Sequence, residues 1–394
     1  MRFEKTVLQI IPALNEGGAE RTTVEIAHAI SVAGGRALVA TSGGRLSGEI
    51  ERAGGRIIEM PVHSKNPLTI ISNRGRLMRI IDDEKVDILH VRSRAPAWSA
   101  LLAARATGTP LVSTWHGAYR EGNVIKRFYN SGLASADLVI ANSAYTAGQI
   151  RQSRELGARL RVIHRGADLS VFDPASVELL RIEKLREVWG ISADVAFVVL
   201  MPARFSDWKG HDVALEAARL LKDDPRYGLA GNFRLIFAGD DGSRREFAAG
   251  IRQSIGDAGL GEVIRLVGHC GDMPAAYALA DVVISPSTRP EAFGRVAAEA
   301  GAMGCVAIGA NHGGARETII DNETGFLTEP GSAASLADAI SKAARLGCEG
   351  RLKMGEKARR RIVSKFSTDA MAAATLEVYQ ALLLQKNEAA AGRV

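Results

Sequence analysis

Short runs rich in Val, Ile and Leu alternate with longer amphipathic, Ala-rich segments along all 394 residues. The apolar runs fall at 7–11, 37–41, 56–60, 87–91, 110–114, 137–141 and 160–164 in the first half. They resume at 196–201, 233–239, 262–268, 281–287, 305–310 and 325–329 in the second. These runs are near-continuous and do not alternate with polar residues, the pattern of parallel strands buried on both faces. Between them, segments such as 19–33, 95–107, 211–222, 274–280 and 333–346 carry helical spacing. Such repetition predicts βαβ units with right-handed crossovers. The rhythm breaks once, at 168–195, where no strand is predicted, and restarts at Ala196. The expected fold is therefore α/β. Two doubly wound, Rossmann-like domains, 1–175 and 190–365, face one another across a cleft at the carboxyl ends of their strands. Residues 366–394 predict a helix as far as Gln385, followed by a fraying KNEAAAGRV tail.

Composition narrows the classes little: 46% hydrophobic and 24% charged residues exclude disorder, collagen-like repeats and a small disulfide scaffold. No run reaches about 18 apolar residues, so no transmembrane helix is predicted. The first residues read as a strand and not as a signal peptide, so the chain is expected to stay in the cytoplasm. Cys270, Cys305 and Cys348, odd in number and widely spaced, suit free thiols. Charge is more informative. The net +6 lies entirely in residues 1–180, with 23 Lys+Arg against 17 Asp+Glu, while 181–394 holds 27 of each. A basic first half suits an anionic membrane surface, a phosphorylated substrate or nucleic acid, as well as a plain solvated face. With 5% aromatic residues and no recognised module, a nucleic-acid partner is not expected.

Three stretches could carry chemistry. Asn15–Arg21, with Gly17 and Gly18, follows the first strand and opens a helix, so backbone N–H groups there can meet an anion. A plain turn is the alternative, because no G-x-G-x-x-G fingerprint occurs. After the first strand of the second domain, Arg204 and Lys209 offer a planar fork and a compact cation for phosphate oxygens. They also read as two solvated loop cations. The most informative stretch is Ser285–Gly304: a strand end, a polar loop with Glu291, then a helix starting near Phe293 or Gly294 with Glu299 inside it. Free N–H groups of Gly294, Arg295 and Val296 suit a phosphate, and the two carboxylates suit sugar hydroxyls. A carboxylate capping the helix is the competing reading for Glu291. His116 follows another strand and could touch substrate, though a lone His is more often structural. His90, Arg92 and Arg94 also follow a strand end, and their charge suits an anionic acceptor. No metal-ligand spacing and no D-x-D is present.

Together these residues resemble retaining glycosyltransferases of the GT-B fold, most closely family 4 (glycosyltransferase group 1). The resemblance takes in the Gly-Gly-Ala-Glu loop, His116-Gly117, Arg204-x4-Lys209-Gly210, and Pro290-Glu291-Ala292-Phe293-Gly294 running on to Glu299. It extends to Gly268–Asp272 with Leu279–Val282, to Gly313–Glu317 and to Thr324–Leu327. It implies that Arg204 and Lys209 bind the donor diphosphate with backbone at Gly17, Gly18 and Gly294–Val296. Glu299 would hold the ribose, Glu291 with Ala292–Gly294 the donor sugar, and His269 and Cys270 the base. Cys270 stands where the family often has an aliphatic residue, which leaves the base open. His116 and Glu291 would serve catalysis, and Arg92, Arg94 and Arg120 the acceptor.

The implied reaction needs no metal or cofactor: a hexose passes with retention from a nucleotide-diphosphate sugar to a glycan or glycolipid hydroxyl. Lipopolysaccharide or other envelope polysaccharide synthesis is the expected setting, with peripheral contact to the cytoplasmic face of an anionic inner membrane. The C-terminal helix would pack back on the first domain. A sugar-nucleotide 2-epimerase of the same fold is the nearest rival. A basic, non-catalytic nucleotide- or nucleic-acid-binding protein is the alternative of another class.

Overall fold

The computed structural model describes residues 2–391 apart from 16, 118, 120–122, 241 and 243. The chain divides into two compact units, Met1–Arg165 with Thr368–Val394, and Gly166–Ser367. In the first unit seven parallel strands form one sheet: β1 Thr6–Ile10, β2 Arg36–Thr41, β3 Arg56–Glu59, β4 Ile88–Val91, β5 Leu111–Trp115, β6 Leu138–Ala141 and β7 Leu160–Val162. The second unit contains β8 Val198–Pro202, β9 Arg234–Ala238, β10 Ile264–Gly268, β11 Val282–Ser285, β12 Val306–Ala310 and β13 Gly325–Thr328. Every strand predicted from the apolar runs is present, shifted by at most a few residues at its ends. The runs form strands because helices cover both faces, so β1, β4, β5, β6 and β12 are buried at every position.

Strand order identifies where a ligand site belongs. The first sheet runs β3-β2-β1-β4-β5-β6-β7 and the second β10-β9-β8-β11-β12-β13. In each, the direction of winding reverses beside the unit's first strand, between β1 and β4 and between β8 and β11. Loops leaving the carboxyl ends of those two strands diverge there and leave a crevice. They carry Gly17 and Arg92 in one unit, and Lys209 and Glu291 in the other.

The terminal helix runs from Thr368 to Ala391, six residues beyond the predicted end at Gln385. Lys386, Glu388 and the alanines are good helix formers, and no Gly or Pro lies between Gln385 and Ala391. Its Met371, Leu376, Tyr379 and Leu382 pack into the apolar layer with Phe3, Val7 and Ile26. The Tyr379 hydroxyl lies 2.5 Å from Nδ1 of His90, whose Nε2 lies 2.7 Å from Oγ1 of Thr114.

His90 is thus a saturated core histidine, and burial followed by the charge of Arg92 holds its pKa well below 6.5. Burial likewise depresses His116. The unfolded chain binds protons at both sites near pH 6.5 while the folded one resists them. Stability is therefore full above about pH 6.5 and falls as the pH drops below it, at up to about 1.4 kcal/mol per pH unit for each histidine. Thermal unfolding between pH 7.5 and 5.5 should show a falling Tm. His90→Gln should flatten that dependence even if its Tm is lower throughout; an unchanged slope would contradict the assignment.

Candidate functional site

In the second unit the loops after β8 and β11 are joined backbone to backbone. Thr288 N–H donates to the Trp208 carbonyl at 2.8 Å, and Arg289 pairs with Asp207 at 3.1 Å. Gly210 has a φ of 85°, and a Cβ on it would lie 2.1 Å from the Pro286 carbonyl oxygen. Only glycine allows that approach. The approach brings Lys209 Nζ to 2.8 Å from Glu291 Oε1, with both side chains 16% exposed. The ammonium also lies 4.4 Å from the Trp208 ring centroid. Ser287 and Ser285 hydroxyls donate to the same carboxylate oxygen at 2.5 and 3.4 Å. Burial pushes the Glu291 pKa up, but the Lys209 charge and these hydrogen bonds outweigh it, so the group stays below its ordinary value and ionised.

A second close approach fixes the Glu291 loop from behind. Gly314 N–H donates to the Glu291 carbonyl at 2.9 Å. A Cβ on Gly314 would lie 2.2 Å from the Phe293 carbonyl. The Gly313-Gly314 pair is thus a backbone seat for the loop and not a ligand contact in itself. Gly294, with φ 80°, caps the helix Arg295–Ala302. Four residues inside that helix, Glu299 accepts from the Tyr277 hydroxyl at 2.9 Å and from Arg295 Nη2 at 2.9 Å. Arg295 Nε also donates to Oε1 at 3.2 Å, so Oε2, which accepts only from Tyr277, keeps a lone pair for a hydroxyl group. A small cavity beside the loop is lined by Ser287, Glu291, Gly294 and His312. Neither ring nitrogen of His312 has a hydrogen-bond partner among the described residues.

Other expected donor residues lie at the same end of the sheet. Arg204 is exposed, as is His269, while Cys270 is half-buried and its thiol is pushed up by burial. Ala292 and Val296 are half-buried and Phe293 is buried. The Gly268–Asp272 loop is anchored by Asp272, which forks onto Arg181 at 2.7 and 2.9 Å and caps the following helix through Ala275 N–H at 3.1 Å. Asp281 accepts from Val198 N–H at 2.8 Å and from Arg351 at 2.6 Å, so its place in the motif is structural. The three cysteines are free, as expected.

In the first unit, Gly17 adopts a φ of 145° and Gly18 begins the helix Gly18–Val32. His116, at the end of β5, lines a small cavity with Arg92, Asn142 and Arg165. Asn142 Nδ2 donates to the His116 carbonyl at 3.3 Å, and Arg165 Nη2 lies 2.6 Å from His116 Nδ1. Arg92, expected at the acceptor, is only 2% exposed and donates to Gln9 Oε1 at 2.9 Å. Its Nε has no hydrogen-bond partner among the described residues. Burial lowers its pKa to about 10, which leaves it charged at neutral pH. Arg94 lies with Cζ 4.2 Å from the Tyr119 ring centroid. Arg120 lies outside the described residues. The sequence reading passed over Arg165, Asn142, Tyr277 and His312. Arg165 was within reach of the rule that drew attention to Arg92, since it too closely follows the carboxyl end of a strand.

The family profile described as glycosyl transferases group 1 matches residues 182–361, and that of glycosyltransferase family 4 matches residues 16–171. The fold is similar to that of a glycosyltransferase from Rickettsia africae, with a TM-score of 0.89 and 35% identity over 96% of this chain and 99% of that one. A D-inositol 3-phosphate glycosyltransferase of Thermomonospora curvata is 31% identical over 66% of this chain and 64% of its own length. A lipopolysaccharide 1,2-N-acetylglucosaminetransferase of Salmonella typhimurium is 32% identical over 48% and 49%. The chain thus spans about half to two-thirds of these curated relatives.

Proposed function

Because the chain belongs to the group 1 glycosyltransferases and has the GT-B fold, we propose that it transfers a hexose from a nucleotide-diphosphate sugar to a glycan or glycolipid hydroxyl. The observation that carries this reading is the buried Lys209–Glu291 pair at the reversal of winding in the second unit. An ionised carboxylate for sugar hydroxyls and a cation for phosphate stand side by side there. In this reading Glu291 orients the donor sugar, Glu299 holds the ribose, and Arg204 and Lys209 neutralise the departing diphosphate. Positive charge developing on the sugar is countered by that phosphate. The acceptor hydroxyl attacks on the face the diphosphate leaves, which retains the anomeric configuration, and a phosphate oxygen takes the hydroxyl proton. Two cations do the work that a metal does elsewhere, so transfer should survive excess EDTA. NMR of the product's anomeric proton tests the stereochemistry: a product inverted relative to the donor would refute the mechanism, and turnover of the donor to its 2-epimer would favour the epimerase.

We assign the acceptor to the first unit and to an anionic membrane surface, as in envelope polysaccharide synthesis. Curated relatives act on acceptors as different as an inositol phosphate and a lipopolysaccharide, so their names do not choose one. Two features support the membrane reading. The first unit carries 25 Lys+Arg against 17 Asp+Glu, while the second carries 25 against 27. On the helix Val124–Ala134, Val124, Ile125 and Phe128 are 83, 78 and 65% exposed beside Lys126 and Arg127. Interleaved apolar and basic side chains suit an anionic lipid interface. No helix among the described residues is long and apolar enough to cross a membrane. Co-sedimentation with phosphatidylglycerol vesicles should exceed that with phosphatidylcholine and fall about tenfold in Val124→Ser/Ile125→Ser/Phe128→Ser. Equal sedimentation of variant and parent would remove this surface from the account.

A further inference from the structure

We infer that Arg165 is a positioning residue for His116. It fixes the imidazole as the Nε2–H tautomer and turns that N–H into the first unit's cavity as a donor to an oxygen of the bound sugar or acceptor. The ligand's chemistry rests on the glycosyl-transfer reading; the tautomer rests on geometry alone. Arg165 leaves the carboxyl end of β7, and its Nη2 stands 2.6 Å from His116 Nδ1. A guanidinium has donors only and stays charged, so Nδ1 must accept. The single hydrogen of a neutral ring is then on Nε2. That nitrogen is buried with no partner among the described residues, and the cavity in front of it is lined also by Thr22, Thr114 and Asn142. A buried donor without an acceptor is costly unless a ligand supplies one. Burial, then the charges of Arg165 and Arg92, disfavour the imidazolium. His116 therefore presents neither an exchangeable cation nor a free lone pair to the cavity. It donates a hydrogen bond and takes no proton, which fits a reaction whose departing phosphate does so.

The same guanidinium ties His116 to the Gly17-Gly18 loop. A Cβ on Gly18 would lie 1.8 Å from Arg165 Nη1. Gly18 needs no positive φ and opens a helix, where alanine is well accommodated. Its lack of a side chain makes room for Arg165.

Nitrogen-15 NMR of the full-length protein, labelled at histidine, reads the tautomer directly. The wild type should show His116 with a protonated Nε2 and a bare Nδ1. Arg165→Ala should mix in the Nδ1–H form, and Arg165→Lys, which keeps a donor, should restore the wild-type pattern. Gly18→Ala, which leaves the guanidinium in the chain but displaces it, should reproduce the Arg165→Ala spectrum without lowering Tm. With donor and acceptor present, Arg165→Ala should lower kcat by about ten- to a hundredfold with a smaller change in donor KM. A wild-type Nδ1–H tautomer would overturn the proposal. So would an unchanged Nε2–H tautomer in both Arg165→Ala and Gly18→Ala. Tautomer shifts as expected in a protein that transfers no sugar would instead sustain the positioning role and sink the glycosyl-transfer reading.

Discussion

Replacing Glu291 with alanine should cut transfer by about a thousandfold or more while leaving nucleoside diphosphate binding within a few fold. Replacing Lys209 should weaken both. The asymmetry follows from what each group faces: Glu291 has hydroxyl chemistry to offer and Lys209 charge neutralisation. Neither effect is independent of the other, because the pair is 2.8 Å apart and each side chain is only 16% exposed. Glu291→Ala strands a buried ammonium, which costs on the order of 3 kcal/mol of stability. Glu291→Gln keeps an oxygen for Ser287 and should recover most of that loss without recovering turnover. A double-mutant cycle should therefore show strong coupling in stability, on the order of 1–3 kcal/mol. Additive losses would mean that the ion pair does not organise the site. Full turnover by Glu291→Ala would remove the sugar-binding assignment altogether.

The second large effect is expected from a residue with no side chain. Gly314→Ala would put a methyl group 2.2 Å from the Phe293 carbonyl, where backbone meets backbone and neither side can yield cheaply. The loop carrying Glu291 must then move, or the hydrogen bond from Gly314 N–H to the Glu291 carbonyl must break. A loss of about 2–4 kcal/mol in stability is expected from such overpacking, together with a loss of activity that exceeds it. A shift as small as 1 Å of Glu291 would account for about a hundredfold in rate. Circular dichroism melts and donor turnover of the same preparation check both parts. A stable, fully active Gly314→Ala would show that the seat is dispensable.

Much of this architecture was legible in the sequence because buried parallel strands leave an unmixed apolar signal. All thirteen strands among the described residues answer to it. The reversal of winding, which picks out the loops bearing Lys209 and Glu291, comes from the strand order of each sheet. What escaped depends on contacts between distant segments. Tyr277 reaches Glu299 across 22 residues, and its hydroxyl has no local pattern to betray it. His90 looked like a ligand-facing residue, but Tyr379, 289 residues later, closes over it. The Gly313-Gly314 pair carries no local sign of its role, which is contact with the Glu291 loop. The helix running past Gln385 to Ala391 differs for a local reason: an Ala-rich polar stretch suggests a frayed tail, yet its residues favour helix. Arg165 had a local cue, since it too follows a strand end, but only the structure shows that it meets His116.

The most direct test of glycosyl transfer from a nucleotide-diphosphate donor is calorimetric titration with UDP, GDP, ADP and dTDP in excess EDTA, on the wild type and on Glu299→Ala. Micromolar Kd for one of the four, weakened at least about tenfold by Glu299→Ala, is the predicted result. Millimolar or absent binding of all four to the folded wild type would contradict it.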